Sequence, residues 1–368
     1  MKRLVQLAAS LAISGGALWL TLRGKDLSAI ASAAWGADHR YLAAYLLVLV
    51  AIHFARTVRW GILLEPVAKI PFAKLNSVCA VGFMALFILP LRLGEFARPY
   101  LVAERPRLRV SATLSSVVVE RVADGLFAGA LLVLSLLAVP EGTPNLRLIR
   151  GAGWLMFAAF GGLLLFLVLA YLNRALAVRL TARLLGTVSG RLATRVSAMM
   201  DAFIHGLRVV PSRRKVGLFF VLTFLYWGLN GWGMQILARG FGIELGALQA
   251  FTVLGVLLVG VMIPAGPGMV GTFQYATVLG LSLFVPAAVT DVRGQAYANV
   301  LWAAQLVQLT AFGLFFLFSR HIQLARIFRA PAELEEELEE EEAEYQAAER
   351  LGAGPDGAAG TGTGDARR

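Results

Sequence analysis

Between Phe83 and Gly125 the chain places charge in an apolar background that offers it little water. An apolar run stops at Pro90, and Arg92, Gly94, Glu95 and Arg98 follow within a few residues. Charge returns at Glu120, Arg121 and Asp124, inside a stretch otherwise apolar enough to cross a bilayer. Ionisable groups at membrane depth are costly, so they face a partner, a cavity or a substrate path. The rest of the chain must enclose this segment.

Composition supports that reading. Of 368 residues, 58% are hydrophobic and only 15% charged, which excludes a soluble globule around one core. The expectation is an all-α polytopic membrane protein. The formal charge of +11 is unevenly spread: residues 331–368 hold 12 acidic side chains and 3 arginines, leaving 31 basic against 11 acidic in residues 1–330. A basic excess in a membrane protein belongs to cytoplasmic loops facing anionic lipid, and no nucleic-acid partner is expected. Cys79 is the single cysteine, and His39, His53, His205 and His321 are scattered. There is no P-loop, GxSxG or HExxH. Neither cofactor nor metal is therefore expected, and an enzyme is the weaker class.

In chain order, residues 4–22 form a first apolar segment behind Lys2 and Arg3. It is read as a retained span, with a cleaved leader ending among the small residues Ser28–Ala34 as the alternative. Residues 41–64 are the second span, with Arg56, Arg59 and Trp60 toward its end and Lys69 and Lys74 beyond it. Residues 75–89 and 93–103 are each too short to cross, and both ends of the pair are basic. They predict a re-entrant hairpin entering from the cytoplasm. Residues 112–139 and 152–172 are full spans joined by a turn at Pro140–Pro144. Residues 173–215 hold nine basic side chains against Asp201 alone, the strongest positive-inside signal in the chain. Residues 216–237 then cross outward. Residues 248–263 and 270–285 flank the sequence PAGPGMVGT, which predicts a second re-entrant hairpin, this one from outside. Residues 296–318 return.

The expectation is thus about six full transmembrane helices plus two re-entrant helical hairpins, with both termini cytoplasmic, in the cell (inner) membrane. Trp60-Gly61 before Pro90 and Trp232-Gly233 before Pro264 suggest an inverted repeat, an arrangement typical of transporters. The membrane domain is 1–330, and 331–368 is an acidic, then Gly/Ala-rich tail expected to be disordered.

Each charged group carries two readings. A broken helix exposes free N–H groups attractive to anions, and Arg92 adds a fork suited to phosphate; alternatively Arg92 and Glu95 merely pair across the turn. Glu120 and Asp124 share one helix face. With Arg121 they either neutralise one another and lock the span to the first hairpin, or one of them takes a proton. Arg56 and Arg59 read as side chains snorkelling to the interface, or as a gate for headgroups. At the second break, Thr272 and Gln274 can offer polar contacts, and Pro264, Gly266, Pro267, Gly268 and Gly271 forbid a continuous helix.

RTVRWGILL (56–64), GFMALFILPLRLGEFARPYLV (82–102), SSVVVERVADGL (115–126) and PAGPGMVGTFQ (264–274) together resemble the flippase-like membrane-domain family. That family includes the transmembrane region of lysylphosphatidylglycerol synthases, and the resemblance spans roughly residues 1–320. It implies movement of an anionic or modified phospholipid between leaflets. Matched by motif, Arg92, Glu95, Arg98, Glu120, Arg121 and Asp124 are the implied headgroup-binding residues, with Pro264, Gly266, Pro267 and Gly268 in the second half. Synthase members continue into a soluble aminoacyl-transferase domain, whereas this chain ends in an acidic tail, so lysyl transfer is not implied. Archaeal relatives keep a polyprenyl-phosphate substrate open.

Three functions follow as expectations. The first is a flippase or transporter for an anionic phospholipid or polyprenyl-phosphate-linked lipid, held at Arg92 and the hairpin ends. The second is a transferase using a lipid-linked donor, with Glu95, Glu120 or Asp124 as base. The third is a non-catalytic partner of a cell-envelope enzyme, using the basic loop and the acidic tail.

Overall fold

A computed structural model of the chain describes residues 2–89, 94–95, 97–103, 110–173, 176, 212–263 and 265–319. Arg92, Pro90 and Pro264, most of the basic segment 173–215 and the acidic tail lie outside the described residues. The described residues form helices and turns only. In chain order these are α1 (Lys2–Leu22), α2 (Leu27–Trp35), α3 (His39–Leu64), α4 (Phe72–Ile88), α5 (Ala97–Ala103), α6 (Val110–Leu136) and α7 (Leu146–Leu172). They continue as α8 (Arg213–Gly240), α9 (Ala247–Met262), a 3₁₀ turn (Pro267–Met269), α10 (Thr272–Leu281) and α11 (Gln295–Ser319). A short helical lead-in, Ala287–Val289, and a π-turn, Thr290–Gly294, precede α11.

Among the described residues four stretches are long and apolar enough to cross a bilayer: His39–Leu64, Leu146–Leu172, Arg213–Gly240 and Ala287–Phe318. Helix α6 has the length, but Glu120, Arg121 and Asp124 sit in its middle. Helix α2 departs from expectation. The stretch Ser28–Ala34, weighed as a processing site, is helical, and Ile30 is buried in the core. Asp26 caps it, its carboxylate accepting from the N–H groups of Ser28 and Ala29.

With lipid outside and no water to expel, helices in a bilayer associate through close packing and polar contacts. Helices α3 and α8 form the central antiparallel pair. Gly240 meets Tyr41, Gly233 meets Tyr45 and Val48, and at the other end Arg59 stands over Tyr226 and Phe219. The helix ends agree with this register, since Lys215 in the first turn of α8 pairs with Glu65 just after α3. Helices α6 and α7 pack the same way, Gly125 on Phe160 and Gly153 on Leu132. Helix α7 turns Leu155, Leu165, Val168 and Leu172 outward, as a lipid-facing helix would.

Two antiparallel helical hairpins complete the architecture. In the first, α5 folds back on α4: the stem of Arg98 lies against Gly82, and Gly94 lies against the backbone of Ala85 and Leu86. In the second, α10 folds back on α9, with Gly260 against Ala276 and Gly280 against Val253. Each first arm then packs against the long helix that follows the other hairpin, α4 on α11 through Met84 and Gly313, and α9 on α6 through Gly255 and Leu132.

Candidate functional site: a buried arginine–carboxylate cluster

Helix α6 rises 1.5 Å per residue, so Glu120 lies about 15 Å from its start and Asp124 about 21 Å, near its midpoint. The i,i+4 spacing points both carboxylates at α3, where Arg59 lies between them. Arg59 Nη1 donates to Asp124 Oδ1 at 2.5 Å, and Nη2 donates to Glu120 Oε1 at 2.8 Å and Asp124 Oδ2 at 2.9 Å. Arg98, brought in by α5, donates from Nη1 to Glu120 Oε2 at 2.9 Å. Arg121 approaches from the rim, 3.1 Å from Asp124 Oδ2 and 3.5 Å from Glu120 Oε1. Trp227 of α8 donates from Nε1 to Asp124 Oδ1 at 3.2 Å.

Every carboxylate oxygen of the pair therefore accepts from a cation or an indole. Glu120 and Arg59 are 0% exposed and Arg98 is 2% exposed. Removing two charges from water is repaid only by such geometry, and loss of one partner strands the others. The snorkelling expected of Arg59 is overturned: its side chain runs sideways into α6. Its position near the end of α3 suggested an interface, but carboxylates 61 and 65 residues away claim it first.

Aromatic rings complete the shell. Arg59 Cζ stands 4.7 Å from the Tyr226 ring centroid and Arg98 Cζ 5.0 Å from that of Trp60. Trp60 in turn donates from Nε1 to Ser116 Oγ at 3.1 Å, tying α3 to α6 again. Arg56 is different. Its Cζ lies 3.6 Å from the Phe83 centroid, on the same ring that Arg98 faces at 4.5 Å, and its Nη2 reaches His53 Nδ1 only at 3.5 Å. No carboxylate among the described residues is within ion-pair distance of Arg56. Glu95, half-buried after the first break, acts electrostatically on Arg121.

The second hairpin brings no charge. Gly268 (φ +69°) and Met269 (φ +53°) are left-handed, and Gly271 (φ +85°) packs so tightly on α1 that a methyl group there would fall 2.2 Å from Ser14 O. Its polar side chains turn back on the break itself. Gln274 Oε1 accepts from Gly271 N–H at 2.8 Å, and Thr272 Oγ1 donates to Met269 O at 3.0 Å. Ser14 Oγ accepts from Gly266 N–H at 2.8 Å, and Trp302 Nε1 donates to Gly268 O at 2.7 Å. Pro267 is exposed beside them. The break packs on α4, with Met269 joining the cluster around Phe87.

Beside the charge cluster lies an apolar cleft of about 560 Å³ between α3, α6, α7 and α8. Leu63, Val119, Ala123, Phe127, Leu167 and Phe219 are among its walls, and its polar edge is Ser115, Ser116 and Thr223. Arg59 stands 5.6 Å from the centroid of Phe219, one of those walls. No group of three His, Cys, Asp or Glu side chains among the described residues is disposed to hold a metal ion.

Sequence reasoning singled out Glu120, Arg121, Asp124, Arg59 and Arg98, and the structure brings them together. It missed Trp227, Trp60, Tyr226 and Phe83, which shape the site by aromatic faces and indole N–H groups. Of these only Trp60 adjoins a cluster arginine in sequence; Trp227 and Tyr226 lie on α8 and Phe83 on α4, so no local signal tied them to the site.

An all-helical chain with several crossing-length apolar helices and an ion-pair cluster in its interior defines a multi-pass membrane protein. The family model described as the lysylphosphatidylglycerol synthase TM region matches residues 7–290, and the chain belongs to that family. No curated protein and no solved structure matches the chain.

Proposed function

We propose that this protein is a flippase or transporter that carries an anionic, phosphate-bearing lipid between leaflets of the cell membrane. One observation carries the reading: the interior cluster holds more cation than anion. Arg56, Arg59, Arg98 and Arg121 face Glu120, Asp124 and Glu95, so one guanidinium among the described residues lacks a compensating carboxylate. An uncompensated cation away from water calls for an anion that arrives from the membrane. The apolar cleft beside the cluster suits a hydrocarbon tail. Arg92, outside the described residues, belongs to the same headgroup path in this reading.

The packing supports six spans with two re-entrant hairpins in an inverted repeat. If α3–α6 and α8–α11 are equivalent units, their leading helices α3 and α8 run antiparallel, and each hairpin packs on the other unit's last helix. All four arginines belong to α3–α6, and α8 of the second unit reaches their cluster through Trp227, Tyr226 and Phe219, which supports a site at the contact of the two units. With the basic segment 173–215 cytoplasmic, both termini are cytoplasmic, and labelling checks this directly. Cysteine introduced at the exposed positions Glu244 and Ser212 should react from opposite sides, against a background of buried Cys79. Labelling of both from one side overturns the topology.

A lipid-linked transferase is disfavoured because every oxygen of Glu120 and Asp124 already accepts from a cation or an indole, so a substrate proton would have to compete with those contacts. The reading as a non-catalytic partner of an envelope enzyme rests on segments outside the described residues. The test is reconstitution of the full chain in vesicles with fluorescent phosphatidylglycerol, phosphatidylcholine or a polyprenyl phosphate, read by quenching of the outer leaflet. Accelerated exchange of an anionic lipid is expected. Bare-vesicle rates for every anionic lipid overturn the proposal.

A further inference from the structure

Four arginines share the interior, and they are not equivalent. Arg59 is held by two carboxylates, Arg98 by Glu120, and Arg121 by Asp124 and Glu120. Arg56 is the one of the four with no carboxylate among the described residues within ion-pair distance, Glu120 acting on it only from farther off. Unpaired Nε atoms do not distinguish it, because Arg59 and Arg121 share that feature. What distinguishes it is charge.

Its neighbours hold the guanidinium without neutralising it. Phe83 supports one face at 3.6 Å, a stacking contact that takes up none of its N–H groups. His53 is buried between Asn76 and the Phe312 ring. With Asn76 Oδ1 accepting from Nε2–H at 2.9 Å, the imidazole turns its Nδ1 lone pair to Arg56 and brings no negative charge. Arg56 lies eight residues before the last residue of α3, about 12 Å along the helix, and is only partly buried. Arg98, on the same Phe83 ring, is spent on Glu120.

Resting on the transport reading above, we propose that Arg56 is the contact for the phosphodiester of the lipid headgroup, and that Arg59, Arg98 and Arg121 are its scaffold. A phosphodiester monoanion presents two oxygens to a guanidinium fork in a bidentate pair. One such headgroup brings the charge of the described cluster to balance. A zwitterion carries its own cation and gains less there. The site therefore selects monoanionic phospholipids over zwitterionic ones.

The test uses the purified full chain in detergent, stripped of lipid and titrated with phosphatidylglycerol, phosphatidylcholine or sn-glycerol 3-phosphate, with binding read by native mass spectrometry. Wild-type protein is expected to prefer phosphatidylglycerol. Arg56→Gln should lose roughly tenfold or more in that affinity, as for one charge-assisted contact, and bind both phospholipids alike. Arg56→Lys, which keeps the charge without the fork, should retain part of the preference and covers the case of a misfolded glutamine variant. If both variants keep the wild-type preference, the Arg56 assignment falls while the transport reading stands. If wild-type protein prefers no anionic lipid, both fall. If glycerol phosphate competes as well as the intact lipid, the site takes a soluble phosphate and the lipid assignment falls.

Discussion

The two hairpins solve one problem by opposite means. Each interrupts a helix inside an apolar protein, and each must satisfy or protect the backbone that the break exposes. The first is anchored by charge: Arg98 at the start of its return arm reaches Glu120, and through it Arg59 and Asp124. The second is anchored by neutral bonds and close contact: Ser14, Trp302 and Gln274 satisfy its backbone, and small residues let its arms touch. A charged anchor is strong only while complete. A neutral one is built from increments that fail separately. The hairpin that carries Arg98 is thus also the one whose stability depends on charge balance.

Unequal consequences of substitution follow. The largest expected effect is Arg59→Met, which removes the one guanidinium that bridges buried Glu120 and Asp124 and should cost about 3–5 kcal/mol in unfolding measured in detergent. Arg98→Met and Glu120→Gln act on one bond, so together they should cost less than the sum of the two alone. An additive result would show that the first hairpin is held by something other than this pair.

Next come the glycines of the two breaks. A methyl group on Gly94 would fall 2.1 Å from Leu86 N, and one on Gly271 would fall 2.2 Å from Ser14 O. Both clashes are with backbone, which yields poorly, and each alanine variant should lose about 1–3 kcal/mol. Gly271→Ala carries added strain from its positive φ, so it should be the worse of the two. The reverse order would mean that the first hairpin is the less compliant one.

Smaller effects are expected at the neutral anchors of the second hairpin. Ser14→Ala leaves Gly266 N–H without its acceptor, and Trp302→Phe leaves Gly268 O without its donor. Each should cost about 1–3 kcal/mol, the penalty of an unmet buried polar group. Because these bonds are neutral, the losses should not change with ionic strength.

Much of this was legible before any coordinates. Long apolar segments became the long helices, and the proline–glycine breaks marked the turns of both hairpins. The spacing of Glu120 and Asp124 placed them on one face because helical periodicity is local. What stayed hidden was non-local. Nothing in the neighbourhood of Arg59 points to carboxylates more than sixty residues on, and its place near a helix end argued for the interface instead. Thr272 and Gln274 looked available for a ligand because their bonds to the broken backbone exist only once the break adopts left-handed conformations. Helix α2 escaped notice because it is short, although the Asp26 cap before Ser28 was there to be read.

The smallest expected effects separate charge from burial. Lys25 pairs with Asp291 at 2.5 Å, and Lys215 pairs with Glu65 on the opposite side of the α3–α8 pair. Both resemble the interior pairs in chemistry, but their side chains are 26% to 46% exposed where Arg59 and Glu120 are almost wholly enclosed. In water-accessible surroundings the attraction is weak, the side chains lose freedom in pairing, and salt screens what remains. Lys25→Ala and Lys215→Ala should each cost under about 1 kcal/mol, and less at high ionic strength. A rim variant as damaging as Arg59→Met would show that pairing itself, and not enclosure, makes the first hairpin's anchor strong.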